Sequence, residues 1–188
     1  MKLYRCFAWN EHAKAADPDG PLWFPRPLQG EGRHDNPDLF GCLYASEHHV
    51  SAVVEQLARF RGGRLIPSLL RRRGLPLALA TIDLTDPARL VDLDDPVVLH
   101  RARLRPSRVA TRQRAGTQPQ ARALHEQHAD SAGLRWWSTY EALWINVTLF
   151  DRAASQLRVT SVRVLGIDDP AVAEAAEFLG LPKEAGDL

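Results

Sequence analysis

Residues 133–165 read GLRWWSTYEALWINVTLFDRAASQLRVTSVRVL. GLRWW and ALWINVTLF are rich in aromatic and β-branched residues, and LRVTSVRVL alternates apolar with polar, so all three read as strands. Only the polar STYE separates the first two. Strands in this order break the regular strand–helix alternation of a doubly wound parallel sheet, and the expectation is an α+β domain.

The rest of the chain fits that class. KLYRCFAW reads as a first strand, Asp17 to Gly20 and Pro21 as a turn, and the Pro- and Gly-punctuated stretch to Pro37 as a long loop of the kind that often binds ligands. FGCLYA is a short buried strand, after which Ser46 is placed to cap a helix over Glu47–Phe60. In that helix Val50, Val53, Val54, Leu57 and Phe60 form one apolar stripe, and the glycines of RGG stop it. A short helix is expected over PSLLRRR up to Gly74, a strand over LALATIDL and a helix over PVVLHRARL. Residues 106–116 read as an Arg-rich surface loop, with Pro119 as the first residue of a helix over PQARALHEQHA. Asp169 caps a last, Ala-rich helix that begins at Pro170 and stops at Gly180.

With 188 residues, 45% apolar and 25% charged, the chain is expected to fold as a single compact domain. A formal net charge of +1 argues against a surface devoted to nucleic acid or membrane, so direct nucleic-acid binding is not expected. The charge is unevenly spread. Six arginines and no acid lie from Arg59 to Arg73, and six more with no acid from Arg101 to Arg114; such runs read first as solvated surface, with anion binding as the other reading. No apolar run approaches the ~20 residues that span a bilayer, and the amino terminus lacks a signal-peptide core, so a cytoplasmic location is expected. Cys6 and Cys42 sit in apolar strands and read as buried thiols.

Neither standard nucleotide-binding glycine loop is present. HEQH places His125 and His128 three apart, not the four of the zinc-protease motif, and no metal is expected; His48 and His49 read as packing residues. Ser138 has no nucleophile-elbow context. The aromatics around it, Trp136, Trp137, Tyr140 and Trp144, suit either a sheet core or a stacking platform. Helical spacing puts Glu55 opposite the apolar stripe, which by itself describes a solvated residue.

Taken together, GRHDNP, LYASE, VVEQLARF, GLRWWS and INVTLFDR resemble, in order and spacing, the RES domain family, named for its Arg, Glu and Ser. The resemblance runs from LYR at the amino terminus to Arg152, which divides the chain into a RES domain, 1–152, and a C-terminal strand–helix extension, 153–188, packed on the same domain. It implies an ADP-ribosyltransferase-like β core flanked by helices. It also implies a toxin-like enzyme that degrades NAD+ at the nicotinamide–ribose bond, a glycohydrolase or phosphorylase with water or phosphate as acceptor. NAD+ is then substrate, with no cofactor, and the implied partner is an antitoxin with a helix-turn-helix domain; the C-terminal helix leaves a homodimer open. By the same resemblance Glu55, Arg33 and Ser138 are catalytic, and Tyr44, Arg5 and Asn146 bind substrate. His34 stands where the family has an aromatic after the Arg, and Trp137 where Pro often precedes the Ser. A carboxylate suits a reaction that builds positive charge on a ribose carbon, and a guanidinium suits a pyrophosphate. Two other readings stay open: ADP-ribosyl transfer to a macromolecule, and a noncatalytic nucleic-acid or partner-binding module built on the Arg runs.

Overall fold

In the computed structural model, which describes residues 1–183, eight strands join one mixed sheet. They are β1 (Lys2–Ala8), β2 (Cys42–Ser46), β3 (Arg71–Arg72), β4 (Leu75–Leu84), β5 (Leu90–Asp92), β6 (Gly133–Trp137), β7 (Ile145–Phe150) and β8 (Leu157–Val164). Their spatial order is β3-β4-β1-β2-β7-β6-β5, with β8 also paired to β4. Every pairing is antiparallel except β5 with β6. The α+β expectation holds, and the stretch 133–165 shows why: β6 and β7 form a hairpin, whereas β8 crosses to β4 in the other half of the sheet.

The two halves meet weakly. All seven residues of β1 pair with β4 and all five of β2 pair with β7, but β1 and β2 share one pair, Tyr4 with Ser46. Beyond it the strands diverge, and their inner backbone groups need other partners. At Cys42 a side chain supplies them: Gln29 Nε2 donates to the Cys42 carbonyl at 2.5 Å and Gln29 Oε1 accepts from the Cys42 amide at 2.9 Å. A carboxamide thus imitates one residue of the missing neighbouring strand.

Five helices cover the sheet. α1 (His49–Leu57) and α5 (Pro170–Leu179) pack Val50, Val53, Leu57, Val172 and Leu179 onto Cys6, Leu77 and Leu79 of β1 and β4. α2 (Pro96–Arg101), α3 (Pro106–Val109) and α4 (Arg114–Gln127) set Leu99, Val109, Ala121 and Leu124 against Cys42, Leu134 and Phe150. A third cluster, including Leu3, Phe7, Leu43, Ile82 and Leu149, joins the halves of the sheet. The C-terminal helix forms as its sequence predicts: the Asp169 carboxylate accepts from the Ala171 amide, and Gly180 closes the helix at φ 66°. Among the described residues no helix is long and apolar enough to cross a membrane.

Several local expectations differ. α1 starts at His49 and ends at Leu57, followed by a 3-10 turn over Ala58–Phe60; Ser46 does not cap it but accepts from the His48 amide, just ahead of the helix. PSLLRRR is not a helix. Pro67–Leu70 is a 3-10 turn, and Arg73 and Gly74, at φ 53° and 81°, make the two-residue turn that folds β3 back on β4. Residues 106–116 hold α3 and the start of α4, so Pro119 lies inside a helix rather than at its first position. The first turn of α4 is anchored by tertiary bonds, from Thr117 Oγ1 to the Arg33 carbonyl and from Asn36 Nδ2 to the Gln118 carbonyl. β5 carries no sequence signal beyond its three residues.

Leu57 is fully buried where α1 meets α5 and β4. Leu57→Ala is expected to cost about 2–5 kcal/mol through lost burial and the cavity left behind, read as a lowered urea midpoint with unchanged slope.

Candidate active site

The divergence of β1 and β2 opens a cleft of about 740 Å³. Glu55 on α1, Arg33 in the long loop, Tyr44 on β2, Arg5 on β1 and Asn146 on β7 all line it. Ser138, just after β6, stands behind Glu55 rather than on the cleft wall, and its hydroxyl reaches Glu55 Oε1 at 3.2 Å. All six residues predicted from sequence therefore meet in one place.

Glu55 is exposed by surface area and opens onto the cleft, while Asn146 and Ser138 crowd one oxygen of its carboxylate. Burial raises its pKa above the ordinary carboxylate value, and four opposing effects restrain the rise: hydrogen bonds from Asn146 and Ser138, then the charges of Arg33 and Arg112. Asn146 Nδ2 donates to Oε1 at 2.8 Å, and Asn146 Oδ1 accepts from Ser51 Oγ at 3.1 Å. Ser51 and Glu55 are one helical turn apart on α1, so a single amide on β7 ties both rungs of the helix to the sheet. Ser138 Oγ also accepts from the Tyr140 amide at 3.2 Å, which fixes the hydroxyl within the β6–β7 turn. Both fixed bonds fall on Oε1. Oε2 has no hydrogen-bond partner among the described residues.

Arg33 lies across the cleft. Its guanidinium sits 4.3 Å over the Trp136 ring and donates to the Val109 carbonyl at 3.0 Å and to the Thr111 carbonyl. Burial lowers its pKa, and the nearest opposing influence is Glu55, although the two do not form an ion pair. Under Arg33, His34 does the work of an aromatic residue. Its ring meets Trp136 edge-on at 5.3 Å, and its Nδ1 is 2.8 Å from Thr148 Oγ1, which also accepts from Trp136 Nε1. Burial, then the charge of Arg33, lowers the His34 pKa to about 3, so the ring is neutral at physiological pH.

Tyr44 is committed to the loop. Its hydroxyl donates to Asp35 Oδ1 at 2.6 Å and accepts from the His34 amide at 3.0 Å, while Asp35 Oδ2 accepts from the amides of Gly30 and Gly32. A Cβ on Gly32 would collide with both Asp35 and the Tyr44 hydroxyl, so only glycine allows this approach. Arg5 is buried and donates to the Pro21 carbonyl at 2.6 Å, bracing the loop against β1. Burial lowers its pKa to about 10, which leaves it charged.

Several contributors had no sequence signal. Arg112, from the stretch read as surface loop, reaches the cleft with its guanidinium 4.8 Å over the Tyr140 ring. Ser51 and Gln29 act through partners distant in the chain, and Asp35 ties Tyr44 to the amides of its own loop. The remaining candidates do not join the site: His125 stacks on Phe40 at 4.3 Å, and Trp144 packs on His48 and Phe178. Cys6 and Cys42 are buried free thiols whose pKa values burial pushes up, to about 12 for Cys6. No cluster of metal-binding side chains occurs among the described residues.

Split sheet, helix-borne carboxylate and facing guanidinium together define an α+β protein with one Arg–Glu cleft. The chain belongs to the RES domain family, whose model matches residues 2–170 and so takes in β8 as well as the cleft. The fold is also similar to a chain in the crystal structure of the M. tuberculosis MbcT–MbcA toxin–antitoxin complex, with a TM-score of 0.58 at 20% identity, over 96% of this chain and 89% of that one. Comparison with curated proteins gave no match.

Two titrations follow from this geometry. The Glu55 carboxyl, followed by carbon-13 NMR, is expected to titrate above the ordinary glutamate range, and Ser138→Ala and Asn146→Ala should each move it further up, because each removes a bond that favours the anion. Since His34 binds its proton more weakly in the folded than in the unfolded chain, its contribution to stability is complete above about pH 6.5 and is lost as pH falls toward 3, by about 1.4 kcal/mol per pH unit. Urea midpoints of the wild type and His34→Phe between pH 7 and pH 4 check this: the variant should show the shallower decline.

Proposed function

We propose that the chain is a RES-type toxin that degrades NAD+ by cleaving its nicotinamide–ribose bond, and that a partner antitoxin neutralises it. The observation that carries this reading is Glu55, held by Asn146 and Ser138 with one carboxylate oxygen free, in a cleft whose facing wall bears Arg33. Family membership and the resemblance to a chain of a toxin–antitoxin complex support it.

Each residue has a chemical part in such a reaction. As the glycosidic C–N bond breaks, its electron pair goes to the pyridinium nitrogen, nicotinamide leaves neutral, and positive charge develops on the ribose carbon. The Glu55 carboxylate stabilises that charge through the ribose hydroxyls, and its raised pKa suits it to take the proton as water adds. Arg33 and Arg112 face the dinucleotide phosphates, with Tyr140 and Tyr44 as ring surfaces beside them. Ser138 and Asn146 are positioning residues for Glu55. Arg5, spent on Pro21, shapes the cleft and adds positive potential rather than a free fork. With phosphate in place of water the same site runs as a phosphorylase, and with a macromolecular acceptor as an ADP-ribosyltransferase.

The test is release of nicotinamide from NAD+ by the purified chain, together with the mass of the ribosyl product. Wild type should release nicotinamide, and Glu55→Gln, which keeps the shape and the acceptor for Asn146, should lower kcat at least about a hundredfold without loss of fold. Wild-type turnover in the folded variant, or no nicotinamide from wild type, would overturn the reading.

A further inference from the structure

Two arginines on the α1 side of the cleft have no acidic partner. Arg59 lies one turn beyond Glu55, and Arg72 stands on β3; both line the cleft. Gln56 holds them together: its Oε1 accepts from Arg59 Nη2 at 3.4 Å and from Arg72 Nη1 at 3.3 Å, and its carbonyl accepts from Arg59 Nε at 3.1 Å. A single neutral amide therefore serves two guanidinium groups. Two other rim arginines are neutralised, Arg73 by Asp19 at 2.5 Å and Arg114 by Glu31 at 2.5 Å. Among the described residues neither Arg59 nor Arg72 makes an ion pair, and Arg72 is destabilised as a cation, first by burial and then by the charges of Arg59 and Arg73.

Like charges held side by side without a counter-charge repel, and a ligand that brings negative charge recovers that energy on binding. Two planar forks with several free N–H groups match the multiple acceptor oxygens of a tetrahedral oxyanion. We propose that Arg59 and Arg72, spaced by Gln56, form a phosphate subsite on the α1 wall of the cleft. Arg59 follows Glu55 by four residues along the chain, and Glu55, Arg59 and Arg72 line the same cleft, so a group bound there shares the cavity with the carboxylate. Phosphate binding stands on this geometry alone; its use in catalysis rests on the NAD+ reading above.

Two sources of phosphate fit. Free inorganic phosphate held there is the acceptor: one of its oxygens bonds to the ribose carbon as the C–N bond breaks, the pair leaves with nicotinamide, and the proton carried by the phosphate is released, giving ADP-ribose phosphorylated at that carbon. Otherwise the subsite holds a phosphate of the dinucleotide itself.

The experiment uses the full chain, the double variant Arg59→Gln/Arg72→Gln and a charge-matched control, Arg101→Gln/Arg103→Gln, all checked for fold by circular dichroism. Inorganic phosphate is titrated by calorimetry, and NAD+ cleavage is followed across a phosphate series. A free-phosphate site predicts saturable binding weakened at least about tenfold in the double variant and within twofold of wild type in the control, with phosphorylated product falling in step. A dinucleotide phosphate predicts instead a KM for NAD+ raised at least about tenfold by the double variant, with kcat changed far less. The proposal is overturned if the double variant matches the control in both phosphate affinity and KM, or if wild type neither binds phosphate nor distinguishes the variants with NAD+. The calorimetric arm needs no NAD+ cleavage, so failure of the enzymatic reading and failure of the subsite are told apart.

Discussion

The pairing of Tyr4 with Ser46 is the one point at which β1 and β2 hold the two halves of the sheet together through backbone, and the cleft exists because it is one point and not five. A full ladder there would close the sheet and leave α1 packed over a flat surface. With a single pair, each half keeps its own helical cover, α1 and α5 on one and α2 to α4 on the other, and the gap between those covers is the cleft. The halves are kept from drifting apart by the apolar cluster beneath the junction and by the long loop, whose Gln29 pairs with Cys42 and whose Pro21 carbonyl receives Arg5. The loop is thus a structural substitute for the strand contacts that the junction forgoes.

That arrangement decides the electrostatics of Glu55. A carboxylate on an open helix face would be hydrated and ordinary, and one sealed in the core would be protonated. Here burial dominates but is opposed by two hydrogen bonds and two guanidinium charges, so the group stays a poised acid rather than a lost one. Because Asn146 and Ser138 both come from the β6–β7 hairpin, the carboxylate is aimed by the sheet and not by its own helix. Any shift of α1 against that hairpin is felt at Glu55 first.

How much of this was legible in the sequence depends on the range of the interaction. The β-branched strand over Leu157–Val164, bulged where its alternation breaks at Thr160, and the capped helix after Asp169 are local and read correctly. Where tertiary bonds overrode local preference, the reading failed: α4 begins five residues before Pro119 because Arg33 and Asn36 anchor its first turn. Glu55 itself looked like a solvated residue by periodicity. Only the company of Arg33, Tyr44 and Ser138 in family order marked it, since no spacing rule predicts that Asn146 and Ser51 will meet around it. His34, a departure from the family pattern, turned out to keep the aromatic packing by giving up its charge.

The Arg-rich runs carry the last lesson, because a net charge of +1 concealed them. Read along the chain, Arg59 to Arg73 and Arg101 to Arg114 are solvated stretches far apart in sequence. The fold brings the end of the second run, through Arg112 and Arg114, to the same cleft that the first run reaches through Arg59, Arg72 and Arg73. Most of the acids that balance the total sit elsewhere, and those at the rim, Asp19 and Glu31, neutralise only two of the five. Field lines from the remaining three, together with Arg5 and Arg33, are concentrated by the low-dielectric walls of the cleft, so a near-neutral molecule presents a concavity in which arginines outnumber carboxylates, with Glu55 set among them. An anionic ligand drawn in by that potential is thereby delivered to Glu55, a carboxylate that the charges of Arg33 and Arg112 help to keep ionised.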